Sequence, residues 1–256
     1  MRLLKRLTTN TYKGTSHYLH IGLNALLPFI LVGFVRLRLV PLAFLVVVLS
    51  KWRMLAVKIR YWWPNILANT VDIIVGMSAV VYINRAGSLI AQLLYALLYS
   101  LWLTIVKPRS AFNWVVAQAI IAESLGLSVI FSHQSISSAQ RTYPEAFVVV
   151  AGFLIGFACA RHVLSNIADG LKESYALFWG LVVAELTWLG DRWVLLYAGI
   201  THVAIICGGL GYVAIELHKS AMRDTLTKQK RFLYLFFVTA LLAIIVILSD
   251  WKRYLY

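Results

Sequence analysis

Acidic residues are scarce in this chain: its 256 residues include ten Asp and Glu, and charge of either sign amounts to only 13% of the composition. A soluble globular domain carries about 25% charged residues. With so few, and with 61% hydrophobic residues, one water-facing core of this size is excluded. Cysteine is nearly absent. Cys159 and Cys207 rule out a disulfide scaffold and lack zinc-ligand spacing, so both read as small apolar packing residues, and neither metal nor cofactor is expected. Catalytic signatures are missing too. There is no HExxH, GxSxG, P-loop or dinucleotide-binding glycine pattern, and no aspartate-rich pair for a diphosphate. The last two apolar runs hold no interior lysine, which excludes a retinal-type Schiff base.

What the chain does contain is apolar runs separated by short basic loops, with a mean hydropathy of +0.79. Seven runs are long enough to cross a bilayer as helices: Asn65 to Asn84, Ser88 to Val106, Ala111 to Phe131, Glu145 to Leu164, Ser174 to Leu189, Trp193 to Leu217 and Phe232 to Ser249. Two shorter runs, His20 to Val35 and Leu39 to Ser50, carry Pro28 and Pro41 and read either as spans extended at their ends or as a re-entrant hairpin. The predicted fold is an all-α polytopic membrane protein, a bundle of seven long and two short transmembrane helices. Residues 1–19 form a basic N-terminus, 20–50 the two short segments, 51–64 an interfacial amphipathic segment, 65–249 the seven-helix bundle and 250–256 an aromatic, basic tail.

Basic residues are distributed unevenly. With nine crossings, 17 of the 24 Lys and Arg fall on the side of the N-terminus and 7 on the other. The positive-inside rule then places the N-terminus in the cytoplasm and the C-terminus outside, in a cell (inner) membrane. This dispersal over many loops, with no accompanying motif, argues against nucleic acid despite a net charge of +14. Anionic lipid headgroups are the expected partners. No cleavable signal sequence is read at the start of the chain, because its apolar stretch lacks a small-residue cleavage site.

An ionisable side chain at membrane depth costs at least a few kcal/mol unless it is paired or hydrated. Asp72, Glu123 and Glu185 are therefore candidates for lining a hydrated path, with His202 near its outer end. Each carboxylate stands in the first helix of a two-helix hairpin, so residues 65–217 read as three tandem units. The matches between units, such as Ala122-Glu123 with Ala184-Glu185, are too few to establish a repeat. Arg161, His162, Glu216 and His218 gather at the cytoplasmic boundary and are candidates for holding a lipid headgroup. Gly152 and Gly156 form a GxxxG, and Cys207 to Gly211 offers a similar smooth face, so a homo-oligomer or a partner membrane subunit is a further expectation.

Three functions follow from these readings. The first is a small proton-coupled secondary transporter or channel-like protein. The second is an integral membrane enzyme acting on a lipid or polyprenyl substrate, and the third a non-catalytic accessory or assembly subunit.

Overall fold

The structure, a computed structural model, describes residues 15–51, 62–136, 144–165, 170–190, 196–197, 200–222 and 224–248. Most of the basic N-terminus, residues 52–61 of the interfacial segment, and the C-terminal tail lie outside the described residues. Nine α-helices stand among those described: α1 Thr15–Arg36, α2 Val40–Leu49, α3 Trp62–Arg85, α4 Leu89–Leu101, α5 Phe112–Ile136, α6 Glu145–Leu164, α7 Lys172–Gly190, α8 His202–Met222 and α9 Lys228–Leu248. A π-helical turn, Trp102–Val106, prolongs α4, and a short antiparallel ladder, β1 Leu196–Tyr197 with β2 Ile200–Thr201, precedes α8.

Four helices are long and apolar enough to cross a membrane: Leu89–Val106, Phe112–Ser132, Glu145–Leu164 and His202–Ala221. The outer surface fits a lipid solvent. Leucine, isoleucine and phenylalanine side chains are exposed along α1, α4, α7 and α9, among them Phe178, Leu181, Phe232 and Leu235. In water such a surface would drive aggregation, whereas in hydrocarbon it carries no penalty.

The two short runs resolve differently. α1 reaches back to Thr15, and its 22 residues span about 33 Å. α2 keeps ten residues, about 15 Å, with Pro41 in its first turn where a missing N–H costs nothing, and the chain turns at Ser50 and Lys51.

Successive helices run antiparallel. One face of the bundle therefore carries Lys51, Lys107, Arg109, Arg161, Lys172 and Lys219, here termed the basic face, and the opposite face carries Arg36, Arg38 and Arg85. Cross-contacts agree with this alternation: Arg36 Nε donates to Gln92 Oε1 at 2.7 Å, and Arg85 Nη1 donates to Ser132 Oγ on the opposite face.

α5 is the central helix. Its apolar window is 61% buried, against 33–39% for the other three long spans. On one side it closes a core with α1 to α4, centred on Leu31, Val47, Val80, Ile83 and Leu103. On its other side Leu127 and Phe131 pack with Val183 of α7 and with Val203, Ala204 and Cys207 of α8. The GxxxG of α6 is consumed inside the chain. Gly152 receives Thr187 and Gly156 receives Val183, so α6 and α7 form the most closely packed hairpin of the bundle. Gly208 lies against α5, Gly209 against Leu241 of α9 and Gly211 against Trp179 of α7.

Candidate functional site

A cavity of about 220 Å³ lies among α5, α6, α7 and α8. Helical spacing builds its walls. Ala119, Ile120 and Glu123 line it from one face of α5, and Cys159, Ala160, Val163 and Leu164 from the last turns of α6. Tyr175, Phe178 and Trp179 occupy positions i, i+3 and i+4 of α7 and so share a face. Gly211, Ala214, Ile215 and His218 complete it from α8. Every lining segment is nearest the basic-face end of its helix or at mid-length. The cavity lies in the half of the bundle nearer that face, and Tyr175 and Phe178 of its wall are exposed on the outer surface of α7.

Glu123 sits at its inner end. It lies 11 residues into α5, about 16 Å deep, and is 3% exposed. Trp179 Nε1 donates to its Oε1 at 3.0 Å. Gly211 provides the space for that indole, since a Cβ there would stand 3.1 Å from Trp179 Cζ2. His218 is nearer the mouth, with its ring edge-on to Tyr175 at 5.5 Å between centroids. Beyond Glu123, Leu127, Phe131, Val203, Ala204 and Cys207 form a buried apolar cluster reaching toward the opposite face.

Asp72 belongs to a separate node. Its Oδ2 pairs with Lys51 Nζ at 3.5 Å and with Lys107 Nζ, and its Oδ1 accepts from Trp102 Nε1 at 3.2 Å. The π turn makes this convergence: residues five apart in an α-helix diverge by about 140°, whereas the i to i+5 closure, with Lys107 N donating to Trp102 O at 2.8 Å, brings 102 and 107 onto one side. Lys51 opens the predicted interfacial segment, but it is 7% exposed and points inward. Burial pulls its ammonium down to about 8, against the attraction of Asp72 and with the repulsion of Lys107.

The three sequence-selected carboxylates do not meet. Asp72 is ion-paired, Glu123 lines the cavity and Glu185 is exposed on α7. His202 is buried at the start of α8, beside Phe131 and Gly190 near the opposite face, on the far side of the closing cluster. The four headgroup candidates also part company. Arg161 pairs with Glu173, His162 Nε2 donates to Gln118 Oε1 at 3.0 Å, and Glu216 pairs with Lys219 at 3.1 Å. Only His218 lines the cavity. Gln118 in turn donates to the carbonyls of Val106 at 2.7 Å and Arg109 at 3.0 Å, satisfying the turn between α4 and α5.

Sequence reasoning missed Trp179, Trp102 and Lys107 as partners of the carboxylates. A tryptophan or lysine near a span end reads as an interfacial anchor, and nothing local marks which of them turns inward. Among the described residues no group of three or more His, Cys, Asp or Glu could hold a metal ion. No protein-family model, no curated protein and no solved structure matches the chain.

Proposed function

We propose that this membrane protein is a small proton-coupled secondary transporter, with Glu123 as its coupling group and the cavity among α5 to α8 as its substrate site. The observation that carries this reading is a lone buried carboxyl in the wall of an otherwise apolar cavity. An ionised carboxylate at that depth, with one neutral donor, is costly. Two things relieve the cost: a proton on the carboxyl, or a substrate group that satisfies it. Because one group cannot take both, proton and substrate exchange at a single site. Net movement then needs the cluster of Leu127, Phe131, Val203 and Ala204 to open while the mouth closes. By the positive-inside rule the basic face, toward which the cavity lies, is cytoplasmic.

A lipid-modifying enzyme would need Arg161, His162, Glu216 and His218 around one opening, and three of the four are engaged elsewhere. An assembly subunit would present its small residues to lipid, whereas these glycines pack internally. Transport is therefore the reading the geometry favours.

The test is solute-dependent proton movement in liposomes holding the purified protein and a pH-sensitive dye. Wild type and Glu185→Gln are expected to move protons when one member of a solute panel is added, and Glu123→Gln to match empty liposomes. A wild type silent across the panel would sink the transport reading.

A further inference from the structure

Resting on that reading of the cavity, we propose that its ligand is a small monovalent organic cation, an ammonium group carried on an apolar body. The lining decides the charge. It includes one carboxyl and no Lys or Arg, so an anion would find no ionic partner, whereas a cation would meet Glu123. A sugar or other polyol would leave most of its hydroxyls unmatched, since the walls are Ala, Ile, Val, Leu, Gly and aromatic residues with few polar groups. Tyr175, Phe178 and Trp179 supply the second element of recognition, because aromatic faces attract an alkylammonium and tryptophan does so best. Size sets the limit on the body. The cavity's volume of about 220 Å³ lies below the ~300–1,000 Å³ of drug-sized sites, which fits one ring or a short branched chain.

Charge balance follows. In the empty site a proton on Glu123 cancels its charge; when the cation enters, that proton leaves to solvent and the carboxylate pairs with the ammonium. One proton is released for each cation bound. The titratable groups lining the cavity with Glu123 are Cys159 on α6, Tyr175 on α7 and His218 on α8, and Cys207 of α8 lies in the cluster behind it. Binding weakens as pH falls; a proton on His218 would disfavour the cation in the same direction, so the two groups are separated by which variant loses the proton release.

Titration calorimetry of the full chain in detergent, with benzyltrimethylammonium and its uncharged isostere neopentylbenzene, tests the inference without relying on any variant. The expected result is that the ammonium compound binds and the isostere does not, with one proton released when heats are compared in buffers of different ionisation enthalpy. Proton release is lost in Glu123→Gln and persists in His218→Gln. Trp179→Leu weakens binding by about tenfold. Equal binding of the isostere, or unchanged proton release in a folded Glu123→Gln, overturns the inference. Failures of the two proposals separate. Cation binding without flux in liposomes would sink transport and leave this ligand class standing; proton-coupled flux of neutral or anionic solutes, without cation binding, would do the reverse.

Discussion

Asp72 was legible in the sequence as a costly residue, because a carboxylate within an apolar run stands out, but its role was not. Its partners Lys51, Trp102 and Lys107 lie 21, 30 and 35 positions away in the chain, and local periodicity says nothing about such pairings. Removing one member of a buried ion pair leaves the other charge stranded. Asp72→Asn is therefore expected to cost about 3–5 kcal/mol, measured by thermal or denaturant unfolding in detergent. Lys107 is partly exposed and can turn to the headgroups, so the stranded charge is Lys51. Adding Lys51→Met to Asp72→Asn should restore part of the loss. Tyr99 makes the opposite case. Its hydroxyl is buried, has no hydrogen-bond partner among the described residues, and is accommodated by the missing side chain of Gly76. Tyr99→Phe should leave the unfolding temperature unchanged or raise stability by about 1 kcal/mol.

Helices were the most readable objects in the chain, since an apolar run of 18 or more residues leaves few alternatives. The run Glu145 to Leu164 coincides with α6. Errors arose where composition and geometry part. Trp193 to Thr201 is apolar enough to read as the start of a span, yet Leu196–Tyr197 pairs with Ile200–Thr201 as a ladder and α8 begins at His202. A cap marked that start: Thr201 Oγ1 accepts from Ala204 N at 3.2 Å, the pattern of a threonine N-cap. The π turn at Trp102–Val106 had no local sign at all. The α6–α7 hairpin is the element whose glycines matter most. A methyl at Gly156 would stand 2.7 Å from Val183, so Gly156→Ala is expected to destabilise by about 1–3 kcal/mol, with Val183→Ala recovering part of it in a double-mutant cycle. Gly33 of α1 meets nothing within 4 Å, and Gly33→Ala should instead stabilise by about 0.5–1 kcal/mol. Unfolding of the four variants side by side checks both signs.

For the whole molecule, the sequence conveyed the solvent and the alternation of helices, while the cavity was invisible because it forms where four helices distant in sequence meet. Glu123, which lines it, stands apart from Asp72 and Glu185, with which the sequence grouped it. The three tandem hairpins put Asp72, Glu123 and Glu185 in three unlike environments, ion-paired, cavity-lining and exposed, and this gives the repeat reading no structural support. Sidedness can be measured directly. Cys159 and Cys207 are both buried and should react slowly with membrane-impermeant maleimides. Single cysteines at exposed Ser88 and Arg109 are expected to label from opposite sides of the membrane, Arg109→Cys from the cytoplasm. Labelling of both from one side would break the antiparallel arrangement of α4.

The contact between Glu123 and Trp179 bridges 56 positions in sequence. Helices enter a membrane in the order in which they are made, at about 5–20 residues per second. α5 is thus delivered before α7 exists, and its carboxyl waits roughly three to ten seconds for the indole that will hold it. During that interval the most central helix of the bundle carries an unmatched polar group into the bilayer. Assembly of this protein must therefore begin with α5 sheltered by the helices made before it, chiefly α3, and the cavity is closed only when α7 and α8 arrive.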